Sequence, residues 1–359
     1  INLVMENRET AINDTIREQY QLDEVWKEVI YLVVSQDEVV RHNYYRVAQL
    51  LEIYEQLQDR CYKVGERVED ALGIVNVICA DSEKTGQVEY DGESYDRSSQ
   101  TQYRQGAKLV NAIDFSGFSR VLDVGCGNGA TTIDMWNRNR DMHIRAFDLA
   151  GSQIDIANEK YRQLLETIPE GTYEGEINFD VMDALDLKDK EMYDLVFSNA
   201  TLHWITDEKR MYRLLYEALE PGGRLAVHQG GYGTYAGLHK AVRQAIHNLG
   251  LDDRYRKWIF PAFYPRKEEM KLLLEGVGFT EIRVESVYSD EKDNMDLVDN
   301  FANASLIYYH IPAVSDEEFA AIKAEYFRIC EAEEPDKSSH RLYIFAERPK
   351  KKRREEDED

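Results

Sequence analysis

The chain has 359 residues, 43% of them hydrophobic and 31% charged, with 68 acidic against 44 basic residues and a net charge of -24. That length fits one large domain with a smaller companion, and the composition is that of a soluble globular protein. Such acidity argues against general nucleic-acid binding, which needs clustered cations to neutralise phosphates, and no apolar run reaches the roughly 20 residues of a membrane span. The four cysteines, Cys61, Cys79, Cys126 and Cys330, are far apart and lack metal-ligand spacing. They read as reduced thiols of a cytoplasmic protein. No signal peptide is visible, and the chain opens on Ile1 rather than Met, which fits a processed chain or a piece of a longer one.

From the N-terminus, Asn13–Val34 and Val39–Val64 carry apolar residues at mixed three- and four-residue spacing, and Arg67–Ala80 continues the pattern. Residues 1–90 therefore read as a helical extension. It is expected to act in packing or dimerisation, giving a homodimer, with a lid or a docking surface for a carrier-bound substrate as the sharper alternative. Asp81–Gly92 is polar and contains glycine, which marks a boundary. A helix running to Ile113 follows.

Arg120–Ala130, RVLDVGCGNGA, is an apolar strand breaking into Gly125, Gly127 and Gly129 before a helix. Strand, glycine turn and helix open a nucleotide-binding unit, because glycines admit a ligand close to the backbone. From there strands are expected at 120–124, 143–148, 177–181, 193–198 and 223–229, with helices at about 130–139, 152–167 and 207–220. The alternation predicts a parallel sheet with helices on both faces, binding ligand beyond the carboxyl ends of its strands. Helices at 236–250, 266–277, 294–308 and 315–333 and strands at 281–287 and 341–347 complete the domain. The charged tail 350–359 reads as disordered.

Acids recur at successive strand ends. Asp123 closes the first strand, Asp148 the second, where it can accept from ribose hydroxyls, and Asp183 follows the third, where an adenine amino group would lie. Each alone reads as a cap or a solvated charge; together on one sheet edge they point to a nucleoside site. Asn199-Ala200-Thr201-Leu202-His203-Trp204 follows the fourth strand. The glycine spacing is G-x-G-x-G rather than the dinucleotide pattern, which disfavours NAD.

These residues resemble class I S-adenosylmethionine (SAM) methyltransferases. The similarity runs from about Tyr95 to Pro349 and is carried by VLDVGCGNGATT at 121–132, AFDLAGSQIDIA at 146–157, FDVMDALDL at 179–187, FSNATLHWITD at 197–207 and LEPGGRLAV at 219–227. Within that superfamily the chain is most similar to the trans-aconitate and juvenile hormone acid methyltransferase group, through Leu202-His203-Trp204, Tyr95-x-x-Ser98-x-x-x-Gln102 and the last strand, SHRLYIFA at 339–346. The resemblance implies a Rossmann-like α/β sheet, mostly parallel with an antiparallel last strand, over residues 91–349. It implies SAM as cofactor, with S-adenosylhomocysteine as product. Asp123, Gly125, Cys126, Gly127 and Gly129 would cradle its methionine half. Asp148 and Leu149 would hold ribose and adenine, Asp183 and Ala184 the adenine, and Asn199 the methionine end. Gln102 and Trp204 would contact an acceptor carboxylate.

A carboxylate acceptor is ionised at neutral pH and needs no general base, whereas a hydroxyl does. His203 is the candidate base, with a packing histidine as the competing reading. Tyr95, Arg97, Tyr232, Tyr235 and Tyr264 are candidate walls of the acceptor pocket. No metal is expected. The expected function is an O-methyltransferase acting on a small organic acid or natural-product-like metabolite. Its alternatives are a tailoring domain of a multidomain synthase, acting on a carrier-bound hydroxyacyl chain, and a non-catalytic partner subunit that keeps the fold.

Overall fold

The computed structural model describes residues 100–350, apart from Glu170, Thr206, 256–261, 290–296 and 311–314; the side chains of 100–105, Ala304, Ile307 and Tyr308 are also outside it. The expected helical extension over 1–90, with its dimer and lid readings, therefore lies outside the described residues, as do Tyr95, Arg97 and the charged tail beyond Lys350.

Seven strands form one sheet in the order β3-β2-β1-β4-β5-β7-β6. They are β1 Arg120–Val124, β2 His143–Asp148, β3 Ile177–Val181, β4 Tyr193–Asn199, β5 Leu219–Gly230, β6 Thr280–Ser289 and β7 Ser339–Glu347. β1 to β5 pair in parallel, and β7 runs antiparallel to both β5 and β6. The fold is thus α/β, mostly parallel, with its last strand reversed. The order turns at β1, with β2 on one side and β4 on the other, and this switch point opens the crevice in which such sheets bind ligands.

The helices are α1 Gln100–Asn111, α2 Ala130–Arg138, α3 Gly151–Thr167, α4 Glu208–Ala218, α5 Ala236–Asn248, α6 Asp252–Tyr255, α7 Lys267–Val277, α8 Leu297–Ala304 and α9 Asp316–Glu333. One sheet face buries Val121, Ile144 and Phe197 against Leu109 of α1 and Met135 and Trp136 of α2. The other buries Leu122, Val196 and Val227 against Tyr212 and Leu215 of α4 and Leu273 of α7. Burial on both faces explains why β1 reads as an unbroken apolar run, not an alternating one. A third apolar cluster joins α5, α8 and α9 through Leu238, Val242, Phe301, Ile322 and Tyr326.

Two boundaries differ from expectation. The helix expected over 207–220 ends at Ala218, and β5 starts at Leu219, not at 223. Pro221-Gly222-Gly223 does not separate the two elements. It is absorbed as a bulge, with the register jumping from Tyr193–Leu219 to Leu195–Arg224 and Gly222 at φ 91°. The single helix expected over 294–308 is α8 followed by a separate 3-10 turn at Leu306–Tyr309.

Candidate active site at the carboxyl ends of the strands

Between β1 and α2 the chain makes a tight loop that only glycine accommodates. Gly125, Gly127 and Gly129 all have positive φ. A Cβ on Gly125 would lie 2.1 Å from Thr201 Cγ2, and one on Gly129 would lie 2.8 Å from Ala157 Cβ and 2.9 Å from Phe179 Cζ. A Cβ on Gly127 would meet nothing among the described residues nearer than Gln153 Oε1 at 4.0 Å, so there is room beside the loop at that position. Gly125 and Cys126 donate their N–H groups to the Phe147 carbonyl at 2.8 and 3.0 Å. On the other side Thr201 Oγ1 donates to the Gly125 carbonyl at 3.0 Å and Ser198 Oγ to that of Val124 at 2.7 Å. The loop is thus clasped between β2 and β4.

Asp148, at the end of β2, accepts from the N–H of Gly127 and of Ala150, both at 2.9 Å. It therefore ties the glycine loop to the start of α3. Burial raises its carboxyl pKa, and the backbone donors oppose the rise. Asp123 is fully buried and accepts from Thr132 Oγ1 at 2.6 Å. Burial drives its pKa up to about 7, against the Thr132 hydrogen bond, and the Asp148 charge adds to the rise. The Cys126 thiol is pushed up by burial and by the negative charges of Asp123 and Asp148, so it stays protonated at neutral pH.

Leu149, next to Asp148 in the chain, is 54% exposed, and Val181, the partner of Asp148 across the β2–β3 ladder, is 59% exposed. Two large apolar side chains open to solvent at one strand-end corner make a platform for a flat ring. Ala184 begins a 3-10 turn that Asp183 caps, with Oδ1 accepting from the Leu185 N–H at 2.9 Å. One oxygen of Asp183 thus serves the turn, and the second faces outward. Val181 was not singled out in the sequence; the signal was a β-branched residue at a strand end where polar residues are usual.

The second half of the sheet edge is built differently. Asn199 ends β4, and its Oδ1 lies 2.8 Å from His228 Nδ1 in β5. With that oxygen accepting, His228 carries its proton on Nδ1 and leaves Nε2 as a buried acceptor without a partner among the described residues. Ala200 follows at φ 58°, an unusual conformation for alanine and a place where strain is held next to the site. His203 and Trp204 lie in the 3-10 turn Leu202–Trp204, with rings 4.9 Å apart. His203 is buried, and burial, reinforced by the positive charge of Arg341, lowers its pKa to about 3. His228 is pushed down by burial and by Arg341 and Lys108. Both imidazoles are neutral at pH 7.

The tyrosines expected as pocket walls divide. Tyr264 packs 5.5 Å from His203 and 6.5 Å from His239, and Tyr235 lies 6.2 Å from Phe301. Tyr232 instead has Arg266 over its ring at 3.9 Å and accepts from His340 Nδ1 through its carbonyl at 2.7 Å. Gln102 falls in α1, with its side chain outside the described residues. His239, Phe301, Tyr309 and Arg341 were not singled out as site residues. The first three belong to irregularly spaced helices whose apolar faces look like ordinary core.

The residues present fit SAM. Open room over a glycine loop, acids at the ends of β1 and β2, and an exposed apolar platform beside Asp148 match a cationic adenosine-bearing ligand. Asp123 and the loop would face its methionine part, Asp148 the ribose, and Leu149, Val181 and Ala184 the adenine. Among the described residues no group of histidine, cysteine or acid side chains could hold a metal, and no helix is long and apolar enough to cross a membrane.

A family model described as a methyltransferase domain matches residues 121–223, the segment from β1 through the bulge of β5. This segment of the chain is therefore similar to SAM-dependent methyltransferases. Its curated relatives include the malonyl-[acyl-carrier protein] O-methyltransferase of Acetivibrio thermocellus, 28% identical over 205 residues, covering 55% of this chain and 68% of that protein. A malonyl-[acyl-carrier protein] O-methyltransferase of Ilyobacter polytropus is 31% identical over 166 residues, covering 46% and 58%. That of Bacillus anthracis is 32% identical over 156 residues, covering 42% and 54%. The chain thus spans about half to two thirds of the length of these relatives. They are named for a different acceptor from the trans-aconitate and juvenile hormone acid group that its motifs resemble.

Proposed function

We propose that this methyltransferase is an O-methyltransferase that esterifies the carboxylate of a small organic acid or of a carrier-bound acyl chain. The observation that carries this reading is the neutral, deeply buried His203, at a pKa of about 3. A base that weak cannot take the proton of a hydroxyl efficiently at neutral pH. A carboxylate needs no base, because it is already ionised. The names of the curated relatives support an acid acceptor, and a thioester-linked acid as one form of it.

SAM, when bound, would supply an electrophilic methyl group to an acceptor oxygen aligned in line at about 3–3.5 Å, with S-adenosylhomocysteine as the leaving group. The work of this chain is binding and alignment. Asp148 fixes the loop through Gly127 and Ala150 and offers its carboxylate to ribose. Asn199 is held by His228 at the end of β4, beside the expected methyl position. Trp204, and Gln102 from α1, would donate to the acceptor oxygens. The apolar cluster of α5, α8 and α9 excludes water from that side.

The test is calorimetry with SAM, followed by mass spectrometry of carboxylic acids, malonyl-carrier thioester and hydroxyacyl thioesters incubated with SAM. SAM binding and one added methyl on acids are expected, with activity lost in Trp204→Ala and Gln102→Ala and largely kept in His203→Ala. Methylation of hydroxyls alone, abolished by His203→Ala, would overturn the carboxylate reading. Absence of SAM binding would overturn the enzymatic reading altogether and favour a partner subunit.

A further inference from the structure

Arg341 lies in β7, opposite Gly230 at the carboxyl end of β5, and only 8% of it is exposed. Its Nη2 donates to Tyr235 Oη at 2.5 Å, and its guanidinium lies 5.0 Å from the centre of the same ring. Its Nε is buried, and among the described residues it has no hydrogen-bond partner and no carboxylate pairs with the guanidinium. A buried guanidinium with one neutral phenol as partner and a free donor is costly to leave unpaired. It is more surprising in a chain of net charge -24.

The surroundings of Arg341 form a circuit of aromatic contacts. Tyr235 meets Phe301, Phe301 meets His239 at 4.9 Å, His239 meets Tyr264, and Tyr264 meets His203. With Arg341 of β7, these residues come from α5 and its N-cap, α8, the loop at Tyr264 and the turn after β4. Tyr235 is itself held at φ 54° where it places its hydroxyl on Arg341.

The charges divide the sheet edge in two. Around Asp123 and Cys126 the acting charges are the carboxylates of Asp123, Asp148 and Asp180. Around His203 the fixed charge that acts is Arg341, and around His228 Arg341 and Lys108, all positive. The acidic half suits a cationic cofactor. The basic half suits an anion.

Resting on the methyl-transfer reading above, we infer that Arg341 is the anion-binding residue of the acceptor pocket, and that its Nε–H face pairs with a carboxylate of the acceptor. The acceptor class is then narrowed to organic acids carrying an apolar or aromatic body that lies against Tyr235, Tyr264 and Phe301. Neutral alcohols and phenols of the same shape are poor ligands, because they leave the guanidinium uncompensated.

The test uses the whole protein saturated with S-adenosylhomocysteine, titrated with a panel of straight-chain and aromatic carboxylic acids and with the primary amide of each. Wild type is expected to bind at least one acid about 30-fold or more tightly than its amide, as for a buried charge pair. That preference should vanish in Arg341→Gln and survive in part in Arg341→Lys, with the affinity for S-adenosylhomocysteine within about twofold throughout. Equal affinity of wild type for acids and amides, or no binding of any acid, overturns the inference without any variant having to fold. Retention of the preference in a folded Arg341→Gln overturns it as well. Methylation of neutral acceptors by a wild type that ignores acids would leave the enzyme a methyltransferase and sink only the role of Arg341. Failure to bind SAM or S-adenosylhomocysteine would sink the underlying reading instead.

Discussion

The contact between Gly125 and Thr201 lends itself to a direct energetic test. Alanine at 125 must hold φ near 72°, a left-handed conformation that costs an L-residue roughly 1–2 kcal/mol. Its Cβ would also lie 2.1 Å from Thr201 Cγ2, 2.3 Å from Oγ1 and 2.5 Å from Cβ. Relieving overlap in a well-packed site costs about 1–3 kcal/mol, so Gly125→Ala should lose about 2–5 kcal/mol in all. For a domain of this size that is a drop of roughly 5–15 °C in melting temperature. Replacing Thr201 by glycine removes these three atoms, the nearest to the added Cβ, and leaves chiefly the conformational cost. The loss on Gly125→Ala should therefore shrink to about 1–2 kcal/mol in the Thr201→Gly background, a coupling of about 1–3 kcal/mol. Urea denaturation of wild type, both single variants and the double variant measures it. A loss equal within about 0.5 kcal/mol in the two backgrounds, the ordinary additivity of independent sites, would refute the clasp between β4 and the glycine loop.

Three further outcomes are expected. Because folding raises the Asp123 pKa to about 7, the folded state holds a proton that the unfolded state gives up near pH 4. Stability should then fall as pH rises through that window and level off above it; denaturation of Asp123→Asn at several pH values should show a flatter profile, and an unchanged profile would exclude Asp123 as the source. Asp148→Asn replaces an acceptor of two backbone hydrogen bonds and, on the proposed reading, of the ribose, so calorimetry should show SAM affinity reduced by about 10- to 100-fold, as expected for losing one or two charge-assisted bonds. Gly106→Ala lies inside α1, where alanine ordinarily stabilises by about 0.5–1 kcal/mol. Its Cβ would sit 2.6 Å from Asn199 Nδ2 and push that side chain off His228, so thermal melting should show no gain, and a clear rise would mean the Asn199–His228 pair is not held by this packing.

Strands β1 and β4 were legible in the sequence because each is short, largely apolar and buried on both faces, as Val121-Leu122 and Val196-Phe197 illustrate. The glycine loop was legible because the backbone there admits no Cβ at Gly125 or Gly129, so chemistry dictates the residue. Where Pro221-Gly222-Gly223 suggested a break, the pairing of β4 with β5 overrode the local signal, since a bulge lets the ladder continue past it. The acceptor side was much less legible. Phe301, His239 and Tyr309 come from α5, α8 and the turn after it, segments far apart in sequence, and only their packing together makes them one surface. Arg341 sits in an apolar run, Leu342-Tyr343-Ile344-Phe345, where its register opposite Gly230 gives it meaning. Nothing in the local sequence states which face of β7 meets which strand.

The position of β7 between β5 and β6 has a consequence for biosynthesis. Strands β1 to β5 follow one another and can associate as they leave the ribosome, yet β5 then presents an open edge along Arg224–Gly230 until residues 339–347 are made. β6 must wait for the same segment, because its ladder is with β7 alone. The nascent chain therefore carries two unsatisfied strand edges through the synthesis of α8 and α9, the interval in which edge-to-edge misassociation is most damaging. Insertion of the final strand closes both edges in one event, and that event also delivers the guanidinium of Arg341. A cofactor-binding half can thus exist before the acceptor half does, and chains stopped short of β7 should be aggregation-prone rather than merely inactive.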